Sequence, residues 1–240
     1  MTGMTWYSAH GSRLAELWTL LHLPYTLMAI CFVLIGFSLN KPINWFITGT
    51  ICLAYFFGLG VAAHCFDQLP GQGTIYVKII KPEELKQIGF GALSIAFALG
   101  TTLIITERLW ILLPLMLLQT FFAFAYPMSK LFNGYFHNDW WFAVGFGAVP
   151  FLTGYIIGFS NAGASITSYT VAIAINGAII CLMVSLIEIL LSRFVRRARA
   201  NSAMGADREY RPQFWWYRVE TALKILCITV YVSTATLLLL

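Results

Sequence analysis

Charge is what this sequence has least of. Only 10% of its 240 residues are Asp, Glu, Lys or Arg, where an ordinary soluble domain carries about 25%. With 59% hydrophobic residues and a mean hydropathy of +0.77, that scarcity excludes a water-soluble globular domain. A formal net charge of +5 is only a mild basic bias, so no nucleic-acid partner is expected. Cysteine is sparse too. Cys31, Cys52, Cys65, Cys181 and Cys227 all lie in or at the ends of apolar runs; none forms a CxxC pair or a zinc-like spacing with histidine, and they read as small buried apolar residues. The first 18 residues hold Arg13 and Glu16 but no basic stretch followed by a short apolar core and an Ala-x-Ala site, so no cleaved signal peptide is expected. The alternating ten-residue pattern of an outer-membrane barrel is missing as well.

What the chain has in abundance is long uncharged runs. A spanning helix takes roughly 20 apolar residues, and seven runs qualify, at 19–39, 43–66, 87–106, 109–126, 141–160, 168–191 and 216–240. The fold class expected is an all-α integral membrane bundle of one domain, residues 1–240, with about seven spans and a cavity opening to the cytoplasm. Long and short connections alternate. Twelve of the fifteen cations fall on the side of the N-terminus, in the segment before the first span, in the connections 67–86, 127–140 and 192–215, and at Arg218 where the last run starts; Lys41 and Arg108 fall on the other side, and Lys224 lies within the last run. By the positive-inside rule the N-terminus is cytoplasmic, the C-terminus is outside, and the location is a cell (inner or plasma) membrane.

Ionisable groups at membrane depth are costly, which makes each a functional candidate. His64 and Asp67, three residues apart near the end of the second run, share a helix face. They read either as the wall of a cavity, with Asp67 an oxygen ligand for a hard cation and His64 a proton acceptor, or as an interfacial helix end. Ser185, Glu188 and Ser192 lie on one stripe of the sixth helix. Glu188 sits about one turn inside the apolar run and should face a cavity or a cation, or serve as a structural carboxylate. Arg193 opens an arginine cluster that is either a phosphate clamp or the positive-inside anchor. Tyr126 and Lys130 flank Pro127 where the fourth run ends; Lys130 is either a phosphate contact or an interfacial anchor. His22, Tyr25 and Thr26 make a small polar face near the start of the first span, and Gln119 and Asn176 are single intramembrane polar groups that read as interhelical hydrogen bonds. The aromatic stretches near 140–142 and 214–217 read as interfacial belts.

The order of these features resembles the UbiA superfamily of intramembrane prenyltransferases, in particular its quinone-precursor branch. Ala63-His64-Cys65-Phe66-Asp67 is similar to that family's Asn-Asp-x-x-Asp motif at the end of the second helix. Glu188-Ile-Leu-Leu-Ser192-Arg193 occupies the place of its Asp-x-x-x-Asp motif at the end of the sixth. Tyr126-Pro127 with Lys130 resembles the family's Tyr-Pro-x-x-Lys turn, and residues 142–158 resemble its glycine-rich fifth helix. The likeness covers roughly residues 14–200. It implies transfer of an isoprenyl group from an isoprenyl diphosphate to an aromatic or lipid-soluble acceptor. Magnesium would be held by Asp67 and Glu188, the proton taken by His64, the diphosphate met by Lys130 and Lys78, and Tyr126, Ser185, Ser192 and Arg193 would contact substrate. Phe56, Phe57, Phe121 and Tyr126 would shield a carbocation. Membrane lipid and a second copy of the chain are the further partners it implies.

The chain departs from the family in having two candidate carboxylates where the motifs usually bring four or more, and seven runs where the family has nine. An alternative reading therefore keeps the fold without the diphosphate and magnesium chemistry, as a protein that acts on, binds or transports another lipid or a quinone. A seven-helix retinal protein using Lys224 for a Schiff base is the remaining rival, and the expected topology speaks against it.

Overall fold

In the computed structural model, residues 6–9, 11–71, 77–203 and 213–240 are described, with backbone alone for 200–203 and 213–216. Arg208 and Arg211, part of the charge bias, and the side chains of residues 214–216 lie outside that set. All regular structure among the described residues is helical. Six helices are long and apolar enough to cross a membrane, Arg13–Ser38, Trp45–Asp67, Pro82–Thr106, Asp139–Asn161, Ser168–Arg199 and Tyr217–Leu239. The run expected at 109–126 is a shorter piece, Trp110–Ala125, in which a 3-10 turn over Trp110–Leu112 leads into α6, Leu113–Ala125. Tyr126-Pro127 ends it, because proline can neither donate nor follow a helical carbonyl without a clash. At 1.5 Å per residue that segment reaches about 24 Å, less than a hydrocarbon core of about 30 Å.

The first span is broken. α1 (Arg13–Leu20) ends and α2 (Leu23–Ser38) begins across His22, whose backbone is left-handed at φ 45°. Pro24, in the first turn of α2, explains the break. It has no N–H for the Leu20 carbonyl and its ring would strike that carbonyl in a continuous helix. The orphaned carbonyls find side chains instead: Leu20 accepts from Nδ1 of His22 at 3.1 Å, and Leu21 from Oγ1 of Thr26 at 2.7 Å.

Two other spans carry π-helical segments. In the second, α3 (Trp45–Tyr55) passes through π turns over Phe56–Ala63 into α4 (His64–Asp67). The fifth runs α7 (Asp139–Ala143), π turns over Val144–Ala148, then α8 (Val149–Asn161). Each π turn takes in an extra residue and so rotates the later part of its span relative to an uninterrupted α-helix, a feature common at functional sites. α5 (Pro82–Thr106), α9 (Ser168–Ala203) and α10 (Gln213–Leu239) are uninterrupted.

The tightest seam joins α2 to α8. Gly36, Gly154 and Gly158 carry it, since a Cβ on Gly154 would stand 1.9 Å from the Val33 carbonyl oxygen and one on Gly36 2.2 Å from that of Phe151. Small residues four apart let two backbones touch where lipid supplies no hydrophobic drive. α10 packs on α9 and α2, and α1 is tied to the connection before α5 by Glu16. That buried carboxylate accepts from the backbone amides of Lys78, Ile79 and Ile80 at 2.7–3.0 Å.

Candidate functional site

The broken first span, the end of α4, the turn after α6 and the basic end of α9 meet at one end of the bundle. Four α9 side chains form the backbone of the site. Ser185, Glu188, Ser192 and Arg196 succeed one another at spacings of three, four and four, so they share one helix face. The first three are at most 5% exposed. Arg196, half-buried, acts electrostatically on His22, Tyr25, Asp67, Tyr126 and Glu188 together, and so stands at the centre of the cluster.

Asp67 arrives from the last turn of α4. Its Oδ2 accepts from the Gln68 side chain at 3.3 Å, and His137 and Arg196 are its electrostatic neighbours. Glu188, on α9, faces Arg196 and lies near Tyr25, whose hydroxyl is within hydrogen-bond reach of Ser192. Two carboxylates from separate helices thus both lie within the electrostatic reach of one guanidinium, in a setting where a carboxylate far from any cation would be expensive.

Two imidazoles lie beside them. His22 and His64 stack with centroids 4.2 Å apart and planes inclined by 14°. Because Nδ1 of His22 donates to the Leu20 carbonyl, a neutral His22 carries its lone pair on Nε2. Nε2 of His64 is buried and has no hydrogen-bond partner, which leaves it open to an incoming group. Aromatic rings continue from there: His64 meets Phe146 at 6.4 Å, Phe146 stacks on Phe142 at 4.4 Å, and Phe142 meets Tyr126 at 5.5 Å. Tyr126 is in turn covered by His137, stacked at 5.0 Å and hydrogen-bonded to the Tyr126 carbonyl.

Of the residues singled out in the sequence, His64, Asp67, Tyr126, Glu188 and Ser192 come together here. Ser185 lies one turn deeper; its unpartnered hydroxyl packs on Gly147 in the π segment of the fifth span. Arg193 turns away from the α9 face and pairs with Asp139 at 2.8 Å, within reach of the Tyr126 hydroxyl. The Nζ of Lys130 covers Gly71, so it borders the turn after α4, and Lys78 is exposed on the connection whose amides Glu16 binds. Phe121 packs among Phe122, Phe132 and Phe136, in an aromatic cluster of its own. Asn176 donates to the Ala172 carbonyl of its own helix at 2.8 Å, so the interhelical bond expected of it is replaced by a local one. Lys224 is bound to Glu220 at 2.9 Å and lies over the Trp6 ring; Glu220 also pairs with Arg199, which fastens α10 to the end of α9.

Sequence reasoning passed over Arg196, His137, Phe142 and Phe146 as site residues. The signal for Arg196 was present, since it continues the 185, 188, 192 stripe by one more step of four. Nothing in sequence marks Phe142 and Phe146 apart from the chain's many other aromatics.

Among the described residues no three His, Cys, Asp or Glu side chains gather as a metal-binding group. Asp67 and Glu188, on separate helices, are the oxygen ligands this end of the bundle could offer a hard cation such as magnesium, which commonly completes its shell with phosphate and water. No family model matches the chain, and no curated protein or solved structure matches it.

Proposed function

We propose that this chain is an intramembrane isoprenyl-transfer protein, binding an isoprenyl diphosphate at the charged end of the bundle and passing the isoprenyl group to an aromatic or other lipid-soluble acceptor. One observation carries the reading: two carboxylates from different helices, the half-buried Asp67 and the buried Glu188, both lie within the electrostatic reach of Arg196, near the stacked rings of Phe142 and Phe146. Arg196 would hold the diphosphate, since a guanidinium suits phosphate oxygens better than a point charge does. Asp67 and Glu188 are the residues that would hold magnesium, which would supply further positive charge to the leaving diphosphate. The faces of Phe142, Phe146 and Tyr126, which pack against one another beside His64, would favour a carbon centre that becomes positive as the carbon–oxygen bond breaks. The Nε2 atom of His64 is the acceptor for the proton released when the new bond forms. In this reading the charged end faces the cytoplasm of a cell membrane.

A second reading, a lipid- or quinone-binding protein of the same architecture, is favoured by Arg196, a cation of the chain itself that already acts on both carboxylates. Thermal unfolding of the detergent-purified chain separates the two. With geranyl diphosphate the wild type should melt higher, more so with magnesium, since a ligand of the folded state stabilises by mass action. Asp67→Asn and Glu188→Gln should lose the magnesium-dependent part. No rise at saturating ligand sinks the isoprenyl-transfer reading and leaves the second.

A further inference from the structure

Away from the charged end, at mid-bundle, a cavity opens between α3 and the π turns after it, α5 and α6. Its walls are apolar but for four side chains, Tyr55, Gln119, Thr120 and Thr153. Gln119 is the anomaly. Both its amide nitrogen and its amide oxygen are buried, and neither has a hydrogen-bond partner. In a bundle that meets lipid, where water does not reach such a group for free, an orphaned amide is normally removed or paired.

The Tyr55 hydroxyl is constrained by valence. Thr153 has one hydroxyl proton and gives it to the Val149 carbonyl at 2.9 Å, so the 2.8 Å contact between Tyr55 and Thr153 uses the Tyr55 proton. The Tyr55 oxygen therefore offers the cavity a lone pair and no donor. Gln119 offers one acceptor and two N–H donors. A hydroxyl is the smallest group that answers both needs, taking a hydrogen bond from the amide and giving one to an oxygen.

We propose that this cavity is a binding site for the head of an uncharged, lipid-soluble hydroxyl compound, a phenol or an apolar alcohol, with Gln119 as its recognition residue. The site shares no residue with the cluster around Arg196, and the proposal does not depend on isoprenyl transfer. The lining fits the class: Leu93, Phe97, Leu103 and Met116 give an apolar ring or chain its contacts, and the absence of any charged side chain disfavours an ionised ligand.

Three ring probes of similar size test it on the full chain in detergent: naphthalene, 1,4-naphthoquinone and 1-naphthol, compared by thermal unfolding. The wild type should melt at least about 2 °C higher with 1-naphthol, less with the quinone, which only accepts, and least with naphthalene. Gln119→Leu should melt higher than wild type without ligand and respond alike to all three. Ala96→Leu, which fills the cavity from α5 and leaves the amide in place, should abolish the preference as well, and serves if Gln119→Leu does not fold. If wild type does not distinguish 1-naphthol from naphthalene, or if both variants keep the preference, the cavity does not recognise the hydroxyl and the proposal is overturned.

Discussion

The seam between α2 and α8 and the flank formed by α3, α5 and α6 lie in the same bundle and obey opposite packing rules. At the seam, glycines bring backbone onto backbone, and the cores on either side hold Met28, Phe32, Val33, Phe37 and Phe151 at no more than 2% exposure. On the flank the two glycines that line the cavity face open space or a flexible side chain: a Cβ on Gly58 would meet only the Ala96 methyl at 3.5 Å, and one on Gly100 would meet the Met116 thioether. The seam is where a membrane bundle without a hydrophobic drive between helices gains its cohesion. The flank is where the same protein leaves room. The comparison teaches that glycine content alone says little, because a glycine contributes packing only where the neighbouring backbone is near enough to use the missing side chain.

The largest effect is expected at the seam. Gly154→Ala sets a methyl against the Val33 carbonyl with backbone on both sides, so the helices must separate. We expect a loss of about 3 kcal/mol or failure to fold, measured by denaturant unfolding in detergent, in line with severe overpacking. The contact that joins seam and flank comes next. Glu16 holds α1, which leads into the seam, to the connection that opens α5. Glu16→Gln replaces two charged acceptor oxygens with one neutral oxygen and an NH2 group that faces the same N–H donors. It should cost about 2 kcal/mol, and faster hydrogen exchange of the amides of 78–80 would locate the damage. The smallest effect is expected on the flank. Gly58→Ala should be neutral or stabilise by about 0.5–1 kcal/mol, because a helical glycine costs that much relative to alanine. If Gly58→Ala were as damaging as Gly154→Ala, seam and flank would not differ in how closely their glycines are approached.

Much of the architecture was legible in advance. Apolar runs located the six helices long enough to cross a membrane and the shorter piece Trp110–Ala125, expected as a seventh span, and the stripe 185, 188, 192 placed Glu188 and Ser192 on the face that they share. Boundaries and interruptions were less visible. Pro24 sat inside the first run as the cause of the His22 break, yet a proline in the first turn of a helix and a proline that breaks one look alike until the preceding residues are seen. The π turns over Phe56–Ala63 and Val144–Ala148 left no mark in the hydropathy, which does not depend on whether a turn holds 3.6 residues or more. Arg193 was the natural candidate for the site because it directly succeeds Ser192. One residue along a helix is a rotation of about 100°, and that step takes it to Asp139 while Arg196 faces inward.

Composition and local pattern by themselves determined that the chain is helical, that its helices suit a membrane, and that its cations and most of its ionisable candidates collect toward one end. Those properties depend on neighbours in the chain, through hydrophobic periodicity and the bilayer's demand that every backbone amide be satisfied locally. Only the tertiary structure decided which aromatics stack beside Tyr126, that His22 stacks on His64, and that the Gln119 amide is left without a partner. Those depend on contacts between residues tens to more than a hundred positions apart, which helix crossings and broken turns set and which no local pattern encodes.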